Sequence, residues 1–178
     1  FWFLPKSHKS YGSPRREWFE KNSEFDAEIK DRFLSFYQRA KAGKLLQWTE
    51  SKEGTLALIL IFDQFSRNMF RDTPEAFATD DKALALARHM LSAGHFNNLM
   101  DQEKAFAALP FEHSEKLADQ KKSVELFKAI GSENYLDYAV KHYDIIKQFG
   151  RFPHRNKILG RKSTKAEKEF LTTPGSSF

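Results

Sequence analysis

The sequence lacks several features that would assign it to a particular class of protein. It contains no cysteine, which excludes disulfide bonds and thiolate metal sites. Its longest apolar run, Leu56 to Phe62, is far shorter than the roughly 20 residues that a membrane span requires. No segment has the charged, apolar and cleavage-site regions of a signal peptide. We therefore expect a cytoplasmic protein without a membrane segment.

The composition is that of a folded domain. Hydrophobic residues make up 40% of the 178 positions and charged residues 30%, and the 18 phenylalanines predict an aromatic-rich core. There is no low-complexity linker, so we predict a single domain over residues 1–178. Because the chain opens on Phe1-Trp2-Phe3, we also expect a few residues to be missing upstream.

The net charge of +5 is modest and allows acidic ligands or nucleic acid. The excess of cations lies toward the C-terminal end. Acidic residues nearly balance the basic ones over the whole chain, and no DNA- or RNA-binding motif is present. Nucleic acid is therefore not the expected partner.

The pattern of apolar, capping and helix-breaking residues predicts an all-α fold without strands. Proline, glycine and capping residues divide the chain into helical segments, and Thr164 with Glu167 forms a capping box. We expect Pro110 to end its helix. The predicted helices run over about 13–19, 23–41, 53–70, 73–92, 102–109, 114–129, 132–148 and from 164 to before Pro174.

The helix predicted over 53–70 changes character along its length. Its first half is apolar on all sides, which is typical of a buried helix. Its second half carries polar residues spaced so that all share one stripe. The stripe indicates either an exposed ion pair between Asp63 and Arg67 or a polar network between helices, part of which could bind a ligand. The residues of the stripe are Asp63, Gln64, Arg67, Asn68 and Arg71.

A second polar cluster comprises Glu112, His113 and Glu115, which we place at the start of a helix. A histidine flanked by carboxylates could act as a general base or as a metal ligand. The spacing matches no common metal motif, so we predict neither a metal nor a cofactor. Helix capping by solvated carboxylates is the alternative.

A third cluster follows on the last long helix and the loop after it. His142 lies on the apolar face of the helix, where a histidine is usually a hydrogen-bonded core residue. Phe149 and Phe152 bracket the cations of the loop and indicate that it is anchored to the body of the protein. The polar loop residues of interest are Arg151, His154, Arg155 and Asn156, whereas Lys157, Arg161 and Lys162 are expected to be solvated charges.

These segments resemble a family of proteins known as the domain of unknown function 924. The resemblance is carried by "FWF" at 1–3, "REWF" at 16–19, "FDAEI" at 25–29, the run at 54–80, "EHSEKLADQKKSVELF" at 112–127, the run at 138–164 and "PGSSF" at 174–178. Runs of this length are specific. One departure is Ser66, where the family usually has proline, so a softer bend is expected there.

The resemblance implies an all-helical, tetratricopeptide-like array of helical hairpins, and it implies no activity. We find no tetratricopeptide consensus spacing in the sequence. Because the fold alone does not indicate a function, the function has to be inferred from the site.

Our main hypothesis is that the three clusters converge on a central pocket for a small anionic or polar ligand. Whether the protein is an enzyme is left open, and His113 and His154 are the candidates for proton transfer. One alternative is a peptide-binding module in which the tail ending in Phe178 docks into a basic aromatic cleft. A further alternative is that the polar clusters only fix the helix packing. The sequence predicts no oligomeric state.

Overall fold

The computed structural model describes residues 1–177, and within this range the protein is all-helical without strands. The predicted all-α class is confirmed. The α-helices are α1 (Ser23–Lys41), α2 (Lys52–Leu60), α3 (Ser66–Met69), α4 (Asp80–Ser92), α5 (Asp101–Glu112), α6 (Leu117–Ile130), α7 (Glu133–Phe149) and α8 (Lys165–Phe170). Short 3₁₀ helices span Arg16–Trp18, Leu46–Glu50, Pro74–Phe77, Phe96–Asn98 and Pro153–Arg155.

Local chemistry sets several of the helix boundaries. The side chain of Asn22 accepts hydrogen bonds from the amides of Glu24 and Phe25 and so caps α1. Thr164 and Glu167 form the predicted capping box of α8. Helices α6 and α7 both end at a glycine in the left-handed conformation, Gly131 and Gly150, which a side chain would disfavour.

The helices pack around one aromatic-rich core. Helix α5 contacts α2, α4, α6 and α7, and α1 packs on α3 and on the segment before it. The core includes Trp2, Trp18, Phe65 and Phe106, whose rings meet in edge-on, stacked or tilted arrangements. None of the described helices is both long and apolar enough to cross a membrane. A tetratricopeptide-like arrangement is compatible with this packing and stays a prediction.

The polar stripe lies where the helical backbone widens. Residues Ile61–Phe65 form a π-helical segment between α2 and α3, so the helix predicted over 53–70 is not regular. The hydroxyls of Ser66 and Thr79 both donate to the carbonyl of Phe62 at 2.8 Å. Side chains thus satisfy backbone oxygens in the wide turn, which is how such turns are stabilised. The softer bend expected at Ser66 stays a prediction.

Pro110 does not end its helix, contrary to the prediction. It lies inside α5, which continues to Glu112 and buries Phe111 at 1% exposure. The backbone after the proline is held by a hydrogen bond from the amide of His113 to the carbonyl of Leu109. Burial of Phe111 in the core therefore outweighs the local preference of proline. Glu112 and His113 consequently lie at the end of a helix, not at the start of one.

The C-terminal loop is anchored as predicted. Phe152 is fully buried in a small apolar cluster with Ile145 and Ile146. Phe149 packs against Phe170 of α8 with ring centroids 5.0 Å apart.

Arg161 is not a solvated charge, so that prediction is wrong. Its guanidinium binds both carboxylate oxygens of Glu115, at 2.7 and 3.0 Å, and also donates to the carbonyl of Phe152. Glu115 in turn accepts from the amide of Phe152 at 2.8 Å. This clamp fastens the loop to the connection between α5 and α6. Lys157 and Lys162 are exposed, as expected.

Replacing Arg161 with methionine should destabilise the fold by about 1–3 kcal/mol, because Glu115 would lose its charged partner and Phe152 one of its anchors. Urea denaturation would measure the free energy of unfolding. The exposed Lys157→Met in the same loop serves as the control and should have little effect. Equal effects of the two substitutions would contradict the assigned clamp.

Candidate functional site

The three polar clusters converge on a cavity of about 320 Å³ between α3, the end of α5, the middle of α7 and the C-terminal loop. Eight of the predicted site residues line it: Gln64, Arg67, Asn68, Arg71, His113, His142, His154 and Arg155. The remaining wall consists of Trp18, Phe19, Asp72, Ala76, Phe77, Leu109 and Ile158. Cationic, imidazole and amide groups thus share one concave surface with aromatic rings.

Asp63 lies directly behind this surface and is completely buried. One carboxylate oxygen is 2.6 Å from Nδ1 of His113, and the other accepts a 2.6 Å hydrogen bond from Gln64. Arg67 approaches the first oxygen at 3.3 Å. Burial opposes ionisation of this group, but the charge of Arg67 and the hydrogen bonds hold the pKa of Asp63 below its usual range.

The ionised Asp63 determines the state of His113. A carboxylate can only accept, so Nδ1 of His113 carries the hydrogen that Asp63 receives. Burial lowers the pKa of His113 below its usual value and Arg67 adds to this effect, although Asp63 opposes it. His113 is therefore neutral at pH 7, and its Nε2 is the nitrogen with a lone pair that can serve the cavity.

Asp80, at the start of α4, contacts one arginine of the polar stripe and one of the C-terminal loop. Its carboxylate is 3.1 Å from Nη1 of Arg67 and 3.3 Å from Nη1 of Arg155. The guanidinium of Arg155 also lies over the rings of Phe77 and Phe152, at 4.7 and 4.5 Å from their centroids. These contacts fix a buried cation at the cavity wall.

Two arginines of the cavity keep donors without a protein partner in residues 1–177. Arg155 is 6% exposed and uses only Nη1, for Asp80, and its Nε is buried without an acceptor. Arg71 binds Asp26 through Nε and Nη2 at 2.7 Å, which leaves Nη1. By contrast, Arg67 is occupied at both terminal nitrogens. Spare guanidinium donors are suited to a carboxylate or phosphate.

Asp26 also binds the side-chain amide of Asn68, a neighbouring residue of the stripe. Nδ2 of Asn68 donates to it at 2.7 Å. Burial raises the pKa of Asp26, but its hydrogen bonds with Arg71 and Asn68 outweigh this effect, so the net pKa lies below the usual value. Asp26 thus positions two cavity residues from helix α1.

Behind His113 lies a pair of buried groups that are both neutral. Oε1 of Glu112 is 3.4 Å from Nδ1 of His142, which also contacts the carbonyl of Tyr138 at 2.8 Å. Burial raises the pKa of Glu112 to about 8, and Asp63 adds to the shift. Burial lowers the pKa of His142 to about 3. The contact is therefore not an ion pair at neutral pH.

His154 lies on the same cavity and is also neutral. Burial lowers its pKa to about 4, and the charge of Arg155 contributes to this. Its ring packs near that of Phe152, with centroids 5.6 Å apart.

Three predicted site residues do not line the cavity because they support the loop. Glu115 is bound to Arg161, and Arg151 forms a two-point ion pair with Glu167 at 2.6 and 2.8 Å. Asn156 is 1% exposed and donates to Ser163 at 3.1 Å. Asp63 and Glu112 lie behind the wall. The predicted docking of Phe178 lies outside the described residues.

Sequence reasoning missed Asp26, Asp80 and the aromatic wall of Trp18, Phe19 and Phe77. The stripe carries two arginines for one aspartate, so further carboxylates were to be expected. No spacing rule identifies which ones, since Asp26 and Asp80 come from other elements.

The lining groups limit the chemistry available. Among the described residues that line the cavity, none is serine, threonine, cysteine, tyrosine or lysine. No group of three or more histidine and carboxylate side chains within residues 1–177 is arranged to hold a metal ion. Acid–base and electrostatic roles are what these side chains can supply.

A larger cavity of about 750 Å³ lies elsewhere in the fold. It is lined mainly by apolar side chains such as Phe33, Phe36 and Trp48. It contains none of the predicted site residues, so we do not assign the site to it.

Comparison with known proteins adds family and fold. The model of a family described as bacterial protein of unknown function (DUF924) matches residues 1–175. The structure of a protein of unknown function from Agrobacterium tumefaciens is similar, with 40% sequence identity, a TM-score of 0.85 and coverage of 88% of each chain. No curated protein matches the chain.

Glu112 should make stability depend on pH. Its pKa is about 8 in the folded protein and about 4.5 in the unfolded chain. Between these values the folded state holds the extra proton, so the free energy of unfolding falls as pH rises, by at most about 1.4 kcal/mol per pH unit. Glu112→Gln cannot ionise, so its stability relative to the native protein should increase from pH 5 to pH 8.

Urea denaturation at each pH measures this difference. The exposed Glu125→Gln is the control and should follow the native curve. A Glu112→Gln curve parallel to that of the native protein would show that Glu112 is ionised in the fold.

Proposed function

We propose that this chain, which belongs to the family of bacterial proteins of unknown function DUF924, binds a small anionic molecule in the cavity between α3 and the C-terminal loop. Arg71 and Arg155 would receive the anionic group, and His113 would face the rest of the molecule. A volume of about 320 Å³ suits a small metabolite and is too small for a folded partner.

The observation that carries the proposal is the state of Arg155. A buried guanidinium that contacts its carboxylate at one point only, and whose Nε has no acceptor, is costly unless a further acceptor is supplied. By comparison, Arg71 and Arg151 each use Nε and Nη2 together to bind a carboxylate. A ligand carboxylate near Arg155 would supply a similar partner after small local adjustment.

The alternative that these clusters only hold the helices together accounts for part of the network. It explains Arg151 and Arg161, each of which binds both oxygens of one carboxylate. It does not explain why arginines with unused donors lie beside histidines at the wall of a cavity. Spare donors at a concave wall favour a ligand.

A small panel of ligands tests the proposal by thermal unfolding. We expect carboxylates such as benzoate, 4-hydroxybenzoate or succinate to raise the midpoint, whereas the neutral benzamide and 4-hydroxybenzamide do not. A ligand at 100 times its Kd adds about 2.7 kcal/mol to the free energy of unfolding. Arg155→Gln and Arg71→Gln should each weaken the Kd about tenfold or more, because each removes a charged donor.

The matched control is Arg39→Gln, which removes the same charge from an exposed position on α1. It should leave the Kd unchanged. Equal stabilisation by acids and their amides, or equal weakening by all three substitutions, would contradict an anion site in this cavity.

A further inference from the structure

We propose that His113, oriented by Asp63, is a general base that activates water to hydrolyse a carboxylic ester of a small anionic molecule bound in the cavity. This inference rests on the proposed function, since the same arginines would hold the substrate. It adds a reaction, a substrate class and separate roles for three residues.

The geometry of His113 is that of a held base. Asp63 receives the Nδ1 hydrogen at 2.6 Å, so the ring cannot turn without breaking a buried contact. Asp63 is fixed in turn by Gln64 and by the π-helical backbone in which both residues lie. A carboxylate that fixes the tautomer and position of a histidine is the arrangement used to activate oxygen nucleophiles.

The surroundings of His113 keep its lone pair available. The groups around it are the anion Asp63, the cations Arg67 and Arg155, and the neutral rings of His142 and His154. Its own side chain retains 15% exposure at the cavity, so water can reach it.

The nucleophile would be water because the described lining offers no hydroxyl, thiol or amine side chain that could form an ester or amide intermediate. Arg155 is suited to stabilise negative charge, since it is buried, cationic and short of acceptors. Arg71, which is more exposed and retains Nη1, is suited to bind the free carboxylate of the substrate.

The reaction proceeds in two steps. Water attacks the ester carbonyl carbon while Nε2 of His113 takes one of its protons, and the carbonyl electron pair moves to oxygen, which Arg155 stabilises. The intermediate then collapses, the bond to the leaving oxygen breaks, and His113 returns its proton to that oxygen. One ester and one water give one carboxylic acid and one alcohol, and the base is regenerated.

The test compares 4-acetoxybenzoate with its neutral methyl ester, methyl 4-acetoxybenzoate. Both carry the same acetyl group, and only the first has a free carboxylate. We expect the protein to hydrolyse the anionic ester about tenfold faster or more, relative to the rate without protein. His113→Gln should reduce hydrolysis of both esters about 100-fold or more.

Further variants separate the roles. Arg71→Gln should remove the preference for the anionic ester while leaving hydrolysis of the neutral one. Arg155→Gln should slow both, and Arg39→Gln should change neither. The rate should fall as the pH is lowered through a midpoint below the usual pKa of a histidine, because burial lowers the pKa of His113. A structural role for His113 would not produce this profile.

A second readout uses the unaltered protein, in case His113→Gln does not fold. Diethyl pyrocarbonate modifies neutral imidazole, and mass spectrometry identifies the modified peptide. We expect modification of His113 at pH 7, where its imidazole is neutral, and slower modification in the presence of 4-hydroxybenzoate. Protection of His113 from the reagent at all pH values would overturn the proposal.

The outcomes distinguish the two levels of the proposal. If 4-hydroxybenzoate binds through Arg71 and Arg155 but neither ester is cleaved above the rate without protein, the hydrolysis is wrong and the ligand site stands. If His113 cleaves both esters equally and no carboxylate binds, the anion site is wrong.

Discussion

The site depends on one buried charge. Asp63 is fully buried in a π-helical turn, and it stays ionised because Arg67, His113 and Gln64 all contact its carboxylate. Removing any one partner would leave a buried anion incompletely compensated. The same contacts set the tautomer of His113 and direct Arg67 toward Asp80. The contacts that compensate the buried charge of Asp63 therefore also hold His113 in place beside the arginines of the cavity.

The remaining polar residues either fasten the C-terminal loop, and so form a frame, or line the cavity. Glu115 with Arg161 and Arg151 with Glu167 fasten the C-terminal loop, and each of these carboxylates receives two hydrogen bonds from its arginine. This frame brings Arg155 to the cavity, where its donors are not all matched. The two-point pairing of Arg151 and Arg161 thus distinguishes them from Arg155, which has a single carboxylate contact and which we assign to a ligand.

The sequence predicted much of this arrangement where local patterns decide it. The bounds of α1, the capping box at Thr164 and the shared stripe from Asp63 to Arg71 follow from periodicity and capping. It did not predict the continuation of α5 past Pro110 or the pairing of the stripe with Asp26 and Asp80. Those depend on burial of Phe111 and on contacts between distant elements, which no local preference encodes.

In this arrangement His113 is a neutral imidazole that donates its Nδ1 hydrogen to the ionised Asp63. Nitrogen-15 chemical shifts of the His113 ring at pH 7 test it most directly. We expect a protonated Nδ1 and an unprotonated Nε2 at pH 7. A ring that is charged at pH 7, or that carries its hydrogen on Nε2, would contradict it.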